Sequence, residues 1–309
     1  MKMTENAVNE ADIVKKTETV GNAALVSNEE EYAANILREQ NLVYVNSVSA
    51  EVHPKYTLYT RYVKRILDIL ISLPVFILLL PFNAIFAIFT FFDVGRPILF
   101  KQTRVGMGGK HFTMVKFRNM NNKTDADGKL LPTSQRVTKF GSIMRKLSLD
   151  ELLNFWSVLK GDMSIIGPRP NPVFTYERMS ERHKQRTAVR PGLECPRIIH
   201  VEGEETFRYH RTFENDIWYV ENVSFMLDVK MVFHLVGMLF SFGRRGKQAK
   251  GTGITYFVGY DSEGHAMSLN NYRELYCAKE THITEQEKPT EELREEQTER
   301  TCITQNQLY

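Results

Sequence analysis

Cysteine is scarce in this chain: Cys195, Cys277 and Cys302 are the only three in 309 residues. An odd count without Cys-x-x-Cys spacing argues against a disulfide framework and a structural zinc site, and a reducing cytosolic milieu is expected. The eight histidines show no His-x-x-x-His or His-x-Asp pattern, so a zinc ligand set is not expected either. No Gly-x-x-x-x-Gly-Lys-Ser/Thr loop is present, which removes the Walker-type phosphate cradle, and no internal repeat is found. No apolar run precedes residue 65, so no signal peptide is expected.

Long uncharged stretches are equally rare. The one that exists lies between Asp68 and Asp93, where 24 residues carry no charge. As a straight helix it would reach roughly 36 Å, enough to cross a hydrocarbon core of about 30 Å. Two features favour a different path. Pro74 and Pro81 each remove an intrahelical hydrogen bond. Both flanks are basic (Arg61, Lys64 and Arg65 before; Arg96, Lys101, Arg104 and Lys110 after), and a spanning helix would put one cluster on the wrong side. A re-entrant helix-break-helix hairpin satisfies both flanks. Its break is expected near Ser72-Leu73-Pro74, where Ser72 could bond a freed carbonyl.

Charge is unevenly spread. Residues 1–57 carry 5 Lys/Arg against 9 Asp/Glu, and residues 278–309 carry 4 against 8. With an overall charge of +3, the middle stands at +11, which suits an anionic partner: nucleic acid, phosphorylated metabolites or lipid headgroups. Residues 1–30 and the tail from 279 read as disordered or loosely ordered. Tyr32 to Gln40 reads as a short helix, and Leu42-Val43-Tyr44-Val45 as an apolar-alternating piece. Gly95 to Met120 reads as strand, glycine turn and strand, with Lys116 and Arg118 on one face. A helix is predicted from Asp150 to Gly161, from Leu149, Leu152, Leu153, Trp156 and Leu159 at spacings of three and four, and another over Ser224 to Phe242.

Chemistry concentrates in Ser148-Leu149-Asp150-Glu151 and Gly167-Pro168-Arg169-Pro170. Ser148-x-x-Glu151 has the spacing of a capping box, with Asp150 favourable at a helix start. An aspartate held there could equally attack phosphorus and form an acyl-phosphate. Arg169 between prolines is either part of a rigid turn or a fixed phosphate clamp. Carboxylates beside phosphate chemistry suggest Mg²⁺, which prefers oxygen ligands. A carboxylate-pair glycosidase fits poorly, because adjacent residues on a helix project about 100° apart.

Taken together, residues 58–242 resemble the bacterial sugar transferases, monotopic phosphoglycosyl transferases that act on polyprenyl phosphate. The resemblance runs through Lys64-Arg65-x-x-Asp68, Ser72-Leu73-Pro74, Gly95-Arg96-Pro97-Ile98, Phe100-Lys101-Gln102-x-Arg104-Val105-Gly106 and Lys116-Phe117-Arg118-x-Met120. It continues through Arg136 to Gly141, Ser148 to Leu152, Val158 to Ser164, Gly167 to Pro170, Arg190-Pro191-Gly192, Asp216 to Val220 and Leu227-Asp228.

The resemblance implies a helix-rich α+β fold with a re-entrant membrane hairpin (58–93) and a small cytoplasmic catalytic domain (94–242). Outside it the expected organisation is an acidic, partly disordered N-terminal extension (1–57), a C-terminal extension (243–278) and an acidic disordered tail (279–309). Asp150 would be nucleophile and metal neighbour, with Glu151 its partner. Lys116, Arg118, Arg145, Pro168, Arg169, Pro170, Asp216 and Asp228 would serve substrate binding, and Lys64, Arg65, Asp68, Ser72 and Pro74 the hairpin. The implied reaction moves a sugar-1-phosphate from a UDP-sugar to polyprenyl (undecaprenyl) phosphate with Mg²⁺, releasing UMP on the cytoplasmic face of a bacterial inner membrane. Membrane lipids, a second copy or glycan-pathway enzymes are the expected partners, and nucleic acid is not. Departures stand at Leu193 to His200, where Thr-Gly-x-x-Gln-Val is usual, at Leu153-Asn154 for Pro-Gln, and at Asn119 for Ser or Thr. They leave open an inactive, membrane-anchored interaction protein as the rival.

Overall fold

The computed structural model describes residues 27–126, 128, 130–196, 199–200, 206–240 and 255–277. Of the disorder expected over residues 1–30 and the tail from 279, residues 1–26 and the tail lie outside them, while residues 27–30 are ordered as a helix start instead.

A capping box starts the described chain: Ser27 accepts from the Glu30 amide, and the Glu30 carboxylate accepts from the Ser27 amide at 3.0 Å. Helix α1 (Asn28–Leu37) propagates from it through a π-helical turn, Arg38–Leu42, into α2 (Val43–Val48). The apolar alternation expected at Leu42 to Val45 is therefore helical. Val45 is buried and Val43 is 79% exposed, because a helix turns these positions to different sides.

The uncharged stretch forms α3 (Lys64–Val94), 31 residues ending at Gly95, whose φ of 71° suits a residue without a side chain. With the turn before it, from Tyr59, it is long and apolar enough to cross a membrane by length and composition, with mean hydropathy 2.4 over an 18-residue window. The break expected at Ser72-Leu73-Pro74 does not appear. The helix continues through Pro74 and Pro81, and the buried Ser72 hydroxyl makes no hydrogen bond. Two isolated prolines cost a bond each without ending so long a helix when one side is packed.

The amphipathicity of α3 is inverted. Its buried members are Asp68, Ser72, Asn83 and Thr90, separated by nearly whole numbers of turns and hence on one face. The opposite faces expose Leu70, Leu78 and Phe92, the pattern of a helix whose outer surface meets lipid. The polar face is tied to the rest of the chain at both ends. Near its start, Arg65 donates to the Val158 and Leu159 carbonyls, and Asp68 accepts from Ser164 Oγ and the Ile165 amide. Near its end, Phe86 meets Phe117, Thr138 donates to Asp93, and Arg118 donates to the Val94 and Gly95 carbonyls.

The expected hairpin follows: β1 (Leu99–Val105) pairs antiparallel with β2 (His111–Phe117), from Leu99 opposite Phe117 to Val105 opposite His111. Gly108 and Gly109 take positive φ in its turn. Helix α4 (Lys139–Leu147) is capped by Thr138 and closed by Ser148 in the left-handed conformation. A 3-10 turn, Leu149–Glu151, leads into α5 (Asn154–Lys160), which Gly161 stops at φ 96°. The single helix predicted from Asp150 is thus a tight turn plus a short helix. Ser148 ends the helix before it rather than capping the one after, so no capping box forms.

Beyond α5, β3 (Ser164–Ile166) pairs parallel with β4 (Gly192–Glu194). Between them come α6 (Val173–Glu177) and α7 (Glu181–Lys184). Helices α8 (Arg208–Asn222) and α9 (Phe225–Phe240) close a core of Val158, Met163, Ile166, Tyr219, Val223 and Met231. The antiparallel pair β5 (Phe257–Tyr260) and β6 (Ala266–Ser268) packs Val258 and Met267 against Ala33, Ala34 and Leu37 of α1. The two extensions expected as separate segments therefore share one core. Tyr260 also reaches the central body: its hydroxyl accepts from the Ser180 amide and lies 2.8 Å from His183 Nδ1.

Candidate active site

Asp150 sits on the 3-10 turn, 6% exposed, where the left-handed Ser148 swings the chain out of α4. Its Oδ2 accepts from Asn119 Nδ2 at 2.8 Å, and Asn119 Oδ1 accepts from Arg145 Nε at 3.0 Å. Asn119 follows β2 and is wedged by α4: a Cβ on Gly141 would lie 2.1 Å from the Asn119 carbonyl oxygen. Hairpin, helix and turn thus converge to orient one carboxylate.

Glu151 faces a different set. Lys116 Nζ stands 2.6 Å from Oε1, and Arg169 Nη2 bonds both carboxylate oxygens, 2.6 Å to Oε2. Arg169 is fixed in turn: its Nη1 donates to Leu193 O at 3.0 Å, and its own carbonyl accepts from Arg186 Nη2 at 2.8 Å. Arg186 is buried in an ion pair with Asp216, with Nε 3.0 Å from Oδ2. On either side, Pro168 O accepts from the Gly192 amide and Pro170 O from Arg104 Nη1. β3 and β4 approach so closely here that a Cβ on Gly192 would meet Gly167 N at 2.2 Å.

The two carboxyls are pushed apart electrostatically. Burial, then the neighbouring Glu151 charge, raises Asp150 above the ordinary carboxylate range, partly offset by Lys116 and Arg145. Burial also works to raise Glu151, but the Arg169 and Lys116 charges outweigh it and hold that carboxyl well below its usual range. Burial lowers Lys116, against the pull of Glu151. Glu151 is held as an anion between Lys116 and Arg169, whereas Asp150 is held by the neutral Asn119 amide.

Of the residues singled out in the sequence, Asp150, Glu151, Lys116, Arg145, Arg169, Pro168 and Pro170 come together, with Asp216 behind them through Arg186. Arg118 does not join them; it satisfies carbonyls at the end of α3, because Phe117 ends the strand and the chain turns there. Asp228 lies at the start of α3, accepting from Tyr59, Lys64 and Tyr219, while Arg65 and Asp68 dock the same helix. Arg186 was missed, since nothing local in the sequence marks it, and Arg104 was read as part of a basic flank and a motif without a site role. Asn119 stood out only as a departure, yet it holds the key carboxylate.

Among the described residues no three His, Cys, Asp or Glu side chains gather as a metal site. With Glu151 committed to two cations, Asp150 is the carboxylate that can meet one. That suits a substrate-shared Mg²⁺, which takes one or two carboxylates plus phosphate oxygens and water, and not an all-protein cage.

The model of the family described as "Bacterial sugar transferase" matches residues 59–241. The uncharacterized sugar transferase EpsL of Bacillus subtilis is 40% identical over 171 residues, covering 54% of this chain and 84% of that protein. The UDP-N-acetylgalactosamine-undecaprenyl-phosphate N-acetylgalactosaminephosphotransferase of Aeromonas hydrophila is 35% identical over 191 residues, covering 60% and 45%. The UDP-glucose:undecaprenyl-phosphate glucose-1-phosphate transferase of Klebsiella pneumoniae is 34% identical over 178 residues, covering 55% and 38%. The matched segment is thus most of the first relative and less than half of the other two.

Proposed function

The chain belongs to the bacterial sugar transferase family, and on that premise we propose that it moves a sugar-1-phosphate from a UDP-sugar to polyprenyl phosphate by way of an aspartyl intermediate. The observation that carries the reading is the orientation of Asp150: Asn119 engages Oδ2, and three cations stand around the dyad. Oδ1 is then the atom assigned to attack. It bonds the sugar-bearing β-phosphorus of the donor, the bond from that phosphorus to the bridging oxygen breaks, and UMP leaves with the electron pair. A phosphate oxygen of the acceptor next attacks the same phosphorus from the lipid side. Asp150 is released as carboxylate, and the product is a polyprenyl-diphosphate sugar.

Lys116, Arg145 and Arg169 act by charge. Arg169, 41% exposed at its side chain, can give Glu151 one face and turn its remaining donors to a phosphate. Glu151 needs no proton-transfer role: an acceptor phosphate is already ionised near neutral pH, and this carboxyl serves to hold Lys116 and Arg169 in place. Asp150 would hold a Mg²⁺ shared with the donor, and the chemistry such an ion would supply is neutralisation of the diphosphate charge.

The lipid acceptor explains why such chemistry is attached to α3. Because both ends of α3 are tied to one catalytic body, we place both on the same, cytoplasmic side of the bilayer, with the exposed apolar faces in the near leaflet. The departure at Leu193 does not remove the clamp, since only its backbone carbonyl is used.

Asp150→Asn tests the reading. UMP release from UDP-sugars with polyprenyl phosphate should fall at least a thousandfold, and turnover like that of the parent protein would remove Asp150 from the mechanism. No release by the parent from any UDP-sugar would favour the inactive interaction protein instead.

A further inference from the structure

An apolar groove of about 1010 Å³ opens where α3 ends. One wall is the last turns of the helix, Ala87, Ile88, Phe91 and Phe92; the other is the segment entering β1, with Arg96 and Ile98. Ile88 and Phe92 are 57% and 78% exposed, so the groove is continuous with the apolar surface of α3. Its one charge is Arg96. The guanidinium carbon lies 5.8 Å over the Phe91 ring, and among the described residues Arg96 forms no ion pair; the nearby Asp93 instead accepts from Thr138.

We propose that this groove holds the proximal isoprene units of the polyprenyl phosphate acceptor, with Arg96 taking the phosphate as it arrives. The inference rests on the acceptor named above and says where that acceptor docks. Three features support it. The groove is large and apolar, in the upper range for ligand pockets, and suits a chain rather than a sugar or nucleotide. It offers a single cation at its mouth, the complement of a single anionic headgroup. It also lies beside the chemistry. Ile98 O accepts from the Arg118 amide, Leu99 pairs with Phe117, and Asn119 follows two residues on to hold Asp150.

The test is photolabelling of the full chain in bilayers of neutral phospholipid, using polyprenyl phosphate with a diazirine in the isoprene units nearest the phosphate. The label should map to the peptide spanning residues 87–99. Excess unlabelled polyprenyl phosphate should suppress it, whereas an equal excess of dialkyl anionic phospholipid should not. Ile88→Trp, which fills the groove, and Arg96→Glu should each reduce labelling at least fivefold, with Ile88→Leu close to the parent. In turnover assays Ile88→Trp should raise the KM for the acceptor about tenfold. Label mapping elsewhere, equal suppression by phospholipid, or an unchanged acceptor KM in Ile88→Trp would each overturn the proposal. Labelling requires no turnover. A parent protein that releases no UMP but labels at residues 87–99 would sink the transferase reading and leave the groove standing; the reverse result would do the opposite.

Discussion

Replacing Asn119 with alanine removes the side chain just past β2 that hydrogen-bonds the proposed nucleophile. The amide donates to Asp150 Oδ2 at 2.8 Å in a buried setting, and a hydrogen bond to a charged group is worth about 1.5–3 kcal/mol. The donor favours the carboxylate over the carboxylic acid, so its loss must raise a pKa that burial and Glu151 have already raised. At 1.36 kcal/mol per pH unit, the rise is about one to two units. Because attack needs the anion, the acid limb of a pH–rate profile for UMP release should move up by that amount. The plateau should also fall, since the carboxylate loses its orientation and Arg145 Nε loses its acceptor. Asn119→Ser keeps a donor and should fall between the two. A profile whose acid limb stays in place in Asn119→Ala, with an unchanged plateau, would refute the claim that this contact sets the nucleophile.

Glu151→Gln should move the same limb downward, because the negative neighbour that raises Asp150 is gone. It should also cost about 1–2 kcal/mol of stability in denaturant melts, a value held down by the partial exposure of its partners. Gly141→Ala drives a Cβ to 2.1 Å from the Asn119 carbonyl, and since backbone cannot yield cheaply it should cost about 1–3 kcal/mol and most of the activity. Acid should loosen the seam between the central body and β5–β6. Burial lowers His183, and lowers His210 to about 4. The contribution of His210 is therefore full above about pH 6.5 and fades as pH falls from there toward 4, and burial acts on His183 in the same direction, against the pull of Glu214. Thermal melts should show Tm dropping across that window, and replacing His210 with Gln should flatten the drop.

Periodicity and local punctuation made much of the fold legible. The hairpin with its glycine turn, the stop at Gly161, the helix beginning near Phe225 and the uncharged stretch all stand out because their signals are local. Conformation at single residues is harder to read. Ser148-x-x-Glu151 has capping-box spacing, but Ser148 takes a left-handed conformation and Glu151 is claimed by Lys116 and Arg169 from 35 and 18 residues away. Tertiary charges outcompeted a local hydrogen bond. Residues on one face of a strand can still part company: Lys116 reaches the dyad, while Arg118, just past the strand end, turns to the carbonyls of α3. Asp228 has the chemistry of a site acid and the position of an anchor. The pairing of the two extensions was invisible for a simple reason: α1 and β5 lie some 220 positions apart, and no local pattern encodes so distant a partner.

The decisive measurement is the mass of the Asp150 peptide after incubation with UDP-sugar in the absence of polyprenyl phosphate, across a panel of donors. A phosphosugar ester on that side chain, discharged when the lipid is added, is the expected result. Lipid-linked product accumulating with no adduct on Asp150 at any time point would contradict it.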